Sequence, residues 1–220
     1  MTAYRRARVR GATYFFTVCL ADRRATTLVE NVGLLRAAYL RTQAERPFIS
    51  VAAVILPDHL HAIWTLPARD ADFSTRWGAI KSRFSRQLGR LGGSPVRRSP
   101  SKIAKKDAGI WQRRFWEHVI RDERDLAVHM RYCWGNPVRH GLVARAADWP
   151  HSSIHRDIRA GRVDAEWADV VTADGFGERD GVARDLAVRD GGALDGAVRD
   201  GVEPHPTCAD AMRRGRKGTP

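Results

Sequence analysis

The 220-residue sequence predicts an α+β fold: a ferredoxin-like or RRM-like antiparallel sheet with helices packed on it. Three observations carry this reading. Short segments rich in aromatic and β-branched residues read as strands, and two longer segments between them show helical spacing of apolar residues. The elements follow in the order β-α-β-β-α-β-α, and the length suits one hydrophobic core.

Tyr14 to Leu20 is the first strand. Gly33 to Glu45 sets Leu34, Leu35, Ala38, Tyr39 and Ala44 at helical spacing and stops before Pro47. Phe48 to Leu56 and Leu60 to Leu66 make two strands around the Pro57-Asp58 turn. Phe73 to Leu88 is the second long helix, followed by a Gly/Ser/Pro/Lys loop from Gly89 to Gly109. Phe115 to Ile120 is a short strand, Glu123 to Gly135 a helix, and Ser152 to Ala160 one more short helix. Residues 1–170 are expected to form one domain. In 171–220, Arg-Asp recurs with a period of five among irregular apolar positions. That pattern cannot bury the core of a repeat solenoid and is expected to be a low-complexity, disordered tail.

Charge narrows the partner. The formal net charge is +13, and residues 73–114 hold twelve Lys and Arg against Asp107 alone. A solvated basic face normally carries interspersed acids. Here they are missing, and Trp77, Phe84 and Trp111 interleave with the cations as candidate stacking surfaces, so nucleic acid is the expected partner. Cys19, Cys133 and Cys208 fit neither a disulfide framework nor a zinc spacing. No apolar run approaches a membrane span and the N-terminus has no apolar leader segment, so a cytoplasmic, nucleoid-associated protein with no membrane partner is expected.

Two constellations carry chemistry. In the strand after Pro57-Asp58, His59 and His61 point to one side while Leu60, Ala62 and Trp64 point to the other. Two imidazoles about 7 Å apart along a strand can converge on one divalent ion; otherwise they are half-exposed histidines at a sheet edge. Further on, Tyr132 and Asn136 lie four residues apart and share a helix face. Leu126, Ala127, Met130, Cys133 and Trp134 form a stripe opposite, so Tyr132 is not expected in the core. Pro137 disfavours helix at Asn136 and places that residue at the helix end, where it would otherwise serve as a cap.

These residues carry a resemblance. Leu56-Pro57-Asp58-His59-Leu60-His61, followed by Ala62-Ile63-Trp64, resembles the HUH motif of single-tyrosine endonucleases. Tyr132, Asn136 and the run Pro137 to Val143 resemble the nucleophile motif of REP-associated tyrosine transposases, relatives of HUH insertion-sequence transposases. The segments 12–17, 73–77, 110–118 and 148–153 match that family in the same order, and the likeness spans roughly Tyr4 to Arg159. One departure is Cys133-Trp134-Gly135, where the family carries a more aromatic, histidine-rich stretch. Gly135 costs up to about 1 kcal/mol in a helix.

The resemblance implies the same fold, with Tyr132 as the nucleophile of a metal-dependent single-strand DNA endonuclease and strand transferase. Its substrate would be hairpin-forming repetitive extragenic palindromes (REPs), cut through a 5′-phosphotyrosine. His59, His61 and the Asn136 amide form a mixed nitrogen/oxygen set suited to Mg²⁺ or Mn²⁺. Arg76, Lys81, Arg83, Arg86, Arg113, Arg114 and Arg139 are the expected DNA contacts, on a monomer or homodimer. His118 is expected to contact DNA or pack, and His129 to lie on the surface beside Tyr132. A hairpin-binding protein without turnover is the alternative. A zinc hydrolase built on His59 and His61 lacks a convincing further ligand.

Overall fold

Strand pairing gathers β1 (Thr13–Cys19), β2 (Ile49–Ile55), β3 (His59–Thr65) and β4 (Trp116–Val119) into one antiparallel sheet, in the order β2-β3-β1-β4. The computed structural model describes residues 8–92 and 108–168. The expected tail at 171–220 lies outside the described residues, as do Arg97, Arg98, Lys102, Lys105 and Lys106 of the basic loop. A single turn, α1 (Thr27–Glu30), precedes α2 (Val32–Glu45), and α3 (Phe73–Arg90) links β3 to β4. After β4 come α4 (Glu123–Arg139), a 3₁₀ turn (Ala146–Asp148) and α5 (Ile154–Arg159). Each β-α-β unit straddles a strand of the other, which is the ferredoxin-like arrangement expected from the sequence.

Period-two alternation divides the sheet into two unlike faces. Toward α2 and α3 point Phe16, Val18, Leu60, Ala62 and Trp64, packed on Leu35, Ala38, Trp77, Ile80, Phe84 and Leu88. Trp64 sits between Phe48 and Trp77, with ring centroids 4.1 and 4.2 Å away. Its indole N–H donates to the Tyr39 hydroxyl at 2.6 Å, so the buried polar tip is satisfied. On the other face Phe15, Val54 and Ile63 meet Met130, Cys133 and Trp134 of α4, and Ile154 of α5.

The end of α4 differs from the sequence expectation. The helix runs through Asn136 and Pro137 to Arg139. Its stop is a Schellman motif: Gly141 adopts φ 66°, its N–H reaches the Val138 carbonyl, and the Leu142 N–H reaches that of Pro137. Proline removes one donor, but the burial of Tyr132 to Pro137 outweighs that loss, and Gly135 does not interrupt the helix. Tyr132 is also buried, contrary to expectation. The C-terminal half of α4 lies between the sheet and the segment holding Ala146, Ile154 and Trp167, so Tyr132 to Pro137 are buried there.

The edge of β2 is closed by the segment before α5. The Ile55 N–H donates to the His151 carbonyl and the Ser153 N–H to that of Ala53, which blocks pairing with another strand. Among the described residues no helix is long and apolar enough to cross a membrane.

Candidate active site

His59 and His61 project from β3 toward α4 and are buried, at 1 % and 0 % exposure, so they are not edge residues. Their register partners on β1 are Cys19 and Thr17, at the centre of the sheet. The two rings lie 5.0 Å apart at 83°, and the His61 ring is 5.1 Å from that of Tyr132. The sheet and α4 thus bring three of the residues singled out in the sequence into one cluster.

Each imidazole is held at Nδ1. His59 Nδ1 lies 2.7 Å from the Asp58 carboxylate, which Arg23 grips from the other side at 2.9 Å. Burial works to raise the Asp58 carboxyl, but the His59 hydrogen bond and the charges of His59 and Arg23 outweigh it and hold the group below its usual range. His61 Nδ1 meets the Thr17 hydroxyl at 3.0 Å. A turn of helix beyond Tyr132, Asn136 is 1 % exposed, and neither its amide oxygen nor its nitrogen has a hydrogen-bond partner among the described residues. An orphaned buried amide costs about 1–3 kcal/mol. An amide oxygen and two imidazoles are, by type, a nitrogen/oxygen donor set of the kind that suits a divalent cation.

Arg139, two turns beyond Tyr132, donates from Nη1 to the tyrosine hydroxyl at 3.0 Å, with its guanidinium 5.7 Å from the ring centre. His140 adds a further imidazole 5.2 Å from that of His59. Neither contact was visible in the sequence, although the i, i+7 spacing of Tyr132 and Arg139 on one helix face was the signal available.

The expected DNA contacts divide. Arg76 is no surface cation: it is 4 % exposed, and its guanidinium donates to the carbonyls of Arg46, Pro47 and Asp72 and to the Asp70 carboxylate. Arg83 is tied to Thr42 and Glu45, and Lys81 to the Gln112 carbonyl. Arg86, Arg113 and Arg114 are exposed. Trp77, Phe84 and Trp111 are buried in the core and offer no stacking surface to bases.

Sequence reasoning also missed a second polar cluster on the same sheet face. His118 of β4 meets Asp125 at 2.8 Å and stacks on His129, which is buried rather than on the surface. Burial works to raise the Asp125 carboxyl, but hydrogen bonds from His118 and from the Arg121 backbone and side chain bring it down to about 2. Burial also depresses His129, favouring its neutral form.

No protein-family model matches the sequence. The chain is 42 % identical over 179 residues to the REP-associated tyrosine transposase of Escherichia coli K12, covering 81 % of this chain and 98 % of that one. A relative of the same family name from Haemophilus influenzae is 42 % identical over 167 residues, covering 76 % and 93 %. A solved REP-associated tyrosine transposase bound to a REP hairpin superposes with a TM-score of 0.71 at 42 % identity, again over 81 % of this chain and 98 % of that one. With that identity along nearly the whole of its relatives, and the same architecture, the chain belongs to the REP-associated tyrosine transposases.

Proposed function

We propose that this protein cuts and rejoins one DNA strand beside a REP hairpin, with Tyr132 as nucleophile. The observation that carries the reading is the buried, unsatisfied Asn136 amide, one turn from Tyr132 on the helix that packs over His59 and His61. A purely structural core would have replaced it with an apolar residue at no loss.

His59 and His61, each held at Nδ1, would coordinate through Nε2, with the Asn136 oxygen beside them. A bound Mg²⁺ or Mn²⁺ would supply polarisation of the scissile phosphate. The Tyr132 oxygen attacks phosphorus, the bond to the 3′ oxygen breaks, and a 5′-phosphotyrosyl enzyme and a free 3′-hydroxyl result. Arg139, donating to the phenol oxygen, stabilises negative charge there as the proton leaves. The covalent link conserves the phosphoester, so the reverse attack by a 3′-hydroxyl rejoins a strand without ATP. Of the cations expected to contact DNA, Arg86, Arg113 and Arg114 are exposed and available to the phosphate backbone.

Incubation with a REP hairpin carrying a single-stranded 5′ flank and Mn²⁺, followed by a denaturing gel, tests the reading. A covalent protein–DNA adduct that disappears on chelation is expected. Hairpin binding without an adduct would select the binding-only alternative.

A further inference from the structure

Beyond the nucleophile cluster, the α4 face of the sheet holds a second group of donors. The rings of His118 and His129 stack at 4.6 Å and 11°. Asp125, one turn before His129, faces both: Oδ2 lies 2.8 Å from His118 Nε2, and Oδ1 lies 3.1 Å from His129 Nδ1. One donor atom from each of the three residues lies within 4.8 Å of the others. Phe15 walls this group off from the first, with its ring 4.9 Å from His129 and 5.4 Å from His61.

We propose that His118, Asp125 and His129 form a second metal site, one that takes a divalent transition ion such as Zn²⁺. Two imidazoles and a carboxylate are a borderline donor set that leaves a fourth tetrahedral position for water, and they discriminate against Mg²⁺ and Ca²⁺, which prefer oxygen. Asp122 caps the first turn of α4 by accepting from the Asp125 N–H, and the Asp125 carboxylate accepts the Arg121 backbone N–H at 3.0 Å. The carboxylate is therefore fixed before any ion arrives. His129 Nδ1 donates to the Asp125 carbonyl at 2.8 Å, so coordination through that nitrogen takes the other neutral tautomer, with the ring proton on Nε2. The ion would tie β4 to the helix that carries Tyr132.

One group opposes it. The Arg121 side chain, 74 % exposed, places Nε 3.1 Å from Asp125 Oδ2. This cation competes with a metal for the same oxygen and, being exposed, swings into water when displaced. Its removal should therefore tighten binding, an effect that a purely hydrogen-bonded cluster would not produce.

The test uses the full chain carrying His59→Ala and His61→Ala, freed of metal by chelation and titrated with Zn²⁺ by calorimetry, with Co²⁺ absorption as a second readout. Retention of one Zn²⁺ per chain is expected, weakened roughly tenfold or more by His118→Gln or His129→Gln. Arg121→Ala, a change at an exposed position with little risk to folding, should tighten binding several-fold. No Zn²⁺ bound by the His59/His61 double variant, or affinity indifferent to His118→Gln, His129→Gln and Arg121→Ala, overturns the proposal. The readout is stoichiometry and affinity alone, so failure of DNA cleavage would leave this result standing, and the converse also holds.

Discussion

The two faces of the sheet share every strand and yet are built on opposite rules. Toward α2 and α3, β3 presents Leu60, Ala62 and Trp64, and the polar tip of Trp64 is satisfied by Tyr39. Toward α4, the same strand presents His59 and His61, with the Tyr132 ring against His61, Asn136 buried one helical turn further on, and His129 and Asp125 past Phe15. Burying polar groups costs free energy unless each is paired, and the Asn136 amide has no partner among the described residues. The first face is predominantly apolar, whereas the second buries a cluster of imidazole, amide and carboxylate side chains at a cost in stability, a cost that the proposed function would explain.

The largest effects should fall on function at the α4 face. Tyr132→Phe should abolish the covalent adduct and leave hairpin affinity within a few-fold, since it removes one hydroxyl and little contact area. His61→Ala should also abolish metal-dependent cleavage while the protein stays folded. An adduct formed by purified Tyr132→Phe protein would end the nucleophile assignment. On the opposite side of the same strand, Trp64→Ala should lower unfolding free energy by about 3–5 kcal/mol, as read by urea denaturation. Comparable destabilisation by His61→Ala would erase the contrast between the faces.

Smaller effects sharpen it. Asp58→Asn removes the carboxylate that orients His59 and should weaken Mn²⁺ affinity by about 10–100-fold in calorimetry, with cleavage falling in step. Asn136→Leu should lose cleavage yet unfold within about 1 kcal/mol of wild type or later, because it removes an unsatisfied amide. A large loss of stability would mean that Asn136 is structural. The smallest effect lies in acid. The Arg76 hydrogen bond, helped by the Asp72 N–H, holds the Asp70 carboxyl below its usual value of 3.8. Its contribution to stability is complete above that value and is lost as pH falls through the lower folded value. Asp70→Asn should accordingly be less stable than wild type at neutral pH and converge with it in strong acid.

Much of this was legible in the sequence, for local reasons. Aromatic alternation in Thr13–Cys19 and His59–Thr65 marks strands, and the facing of His59 and His61 follows from period two alone. Asn136-Pro137 was misread as a helix stop, while Gly141-Leu142 carried the real one. In α3, the spacing of Phe73, Trp77, Ile80, Phe84 and Leu88 is a core stripe that the interleaved cations obscure. Arg76 follows that stripe inward. The cluster of His118, Asp125 and His129 joins a strand to a helix across a turn, and such a meeting depends on tertiary packing rather than local pattern.

Sheet order has a consequence for how this molecule comes into being. β1 emerges first from synthesis but occupies the interior of the sheet, flanked by β3 and by β4, which is made nearly a hundred residues later. Thr17, His61 and Tyr132 thus meet only when the beginning, middle and end of the domain have closed on one another. Such non-local closure slows folding. It also means that a nascent or proteolysed fragment ending before α4 holds the two histidines but not Tyr132. On the proposed function, such a fragment lacks the nucleophile, and competence to cut arrives only with completion of the fold.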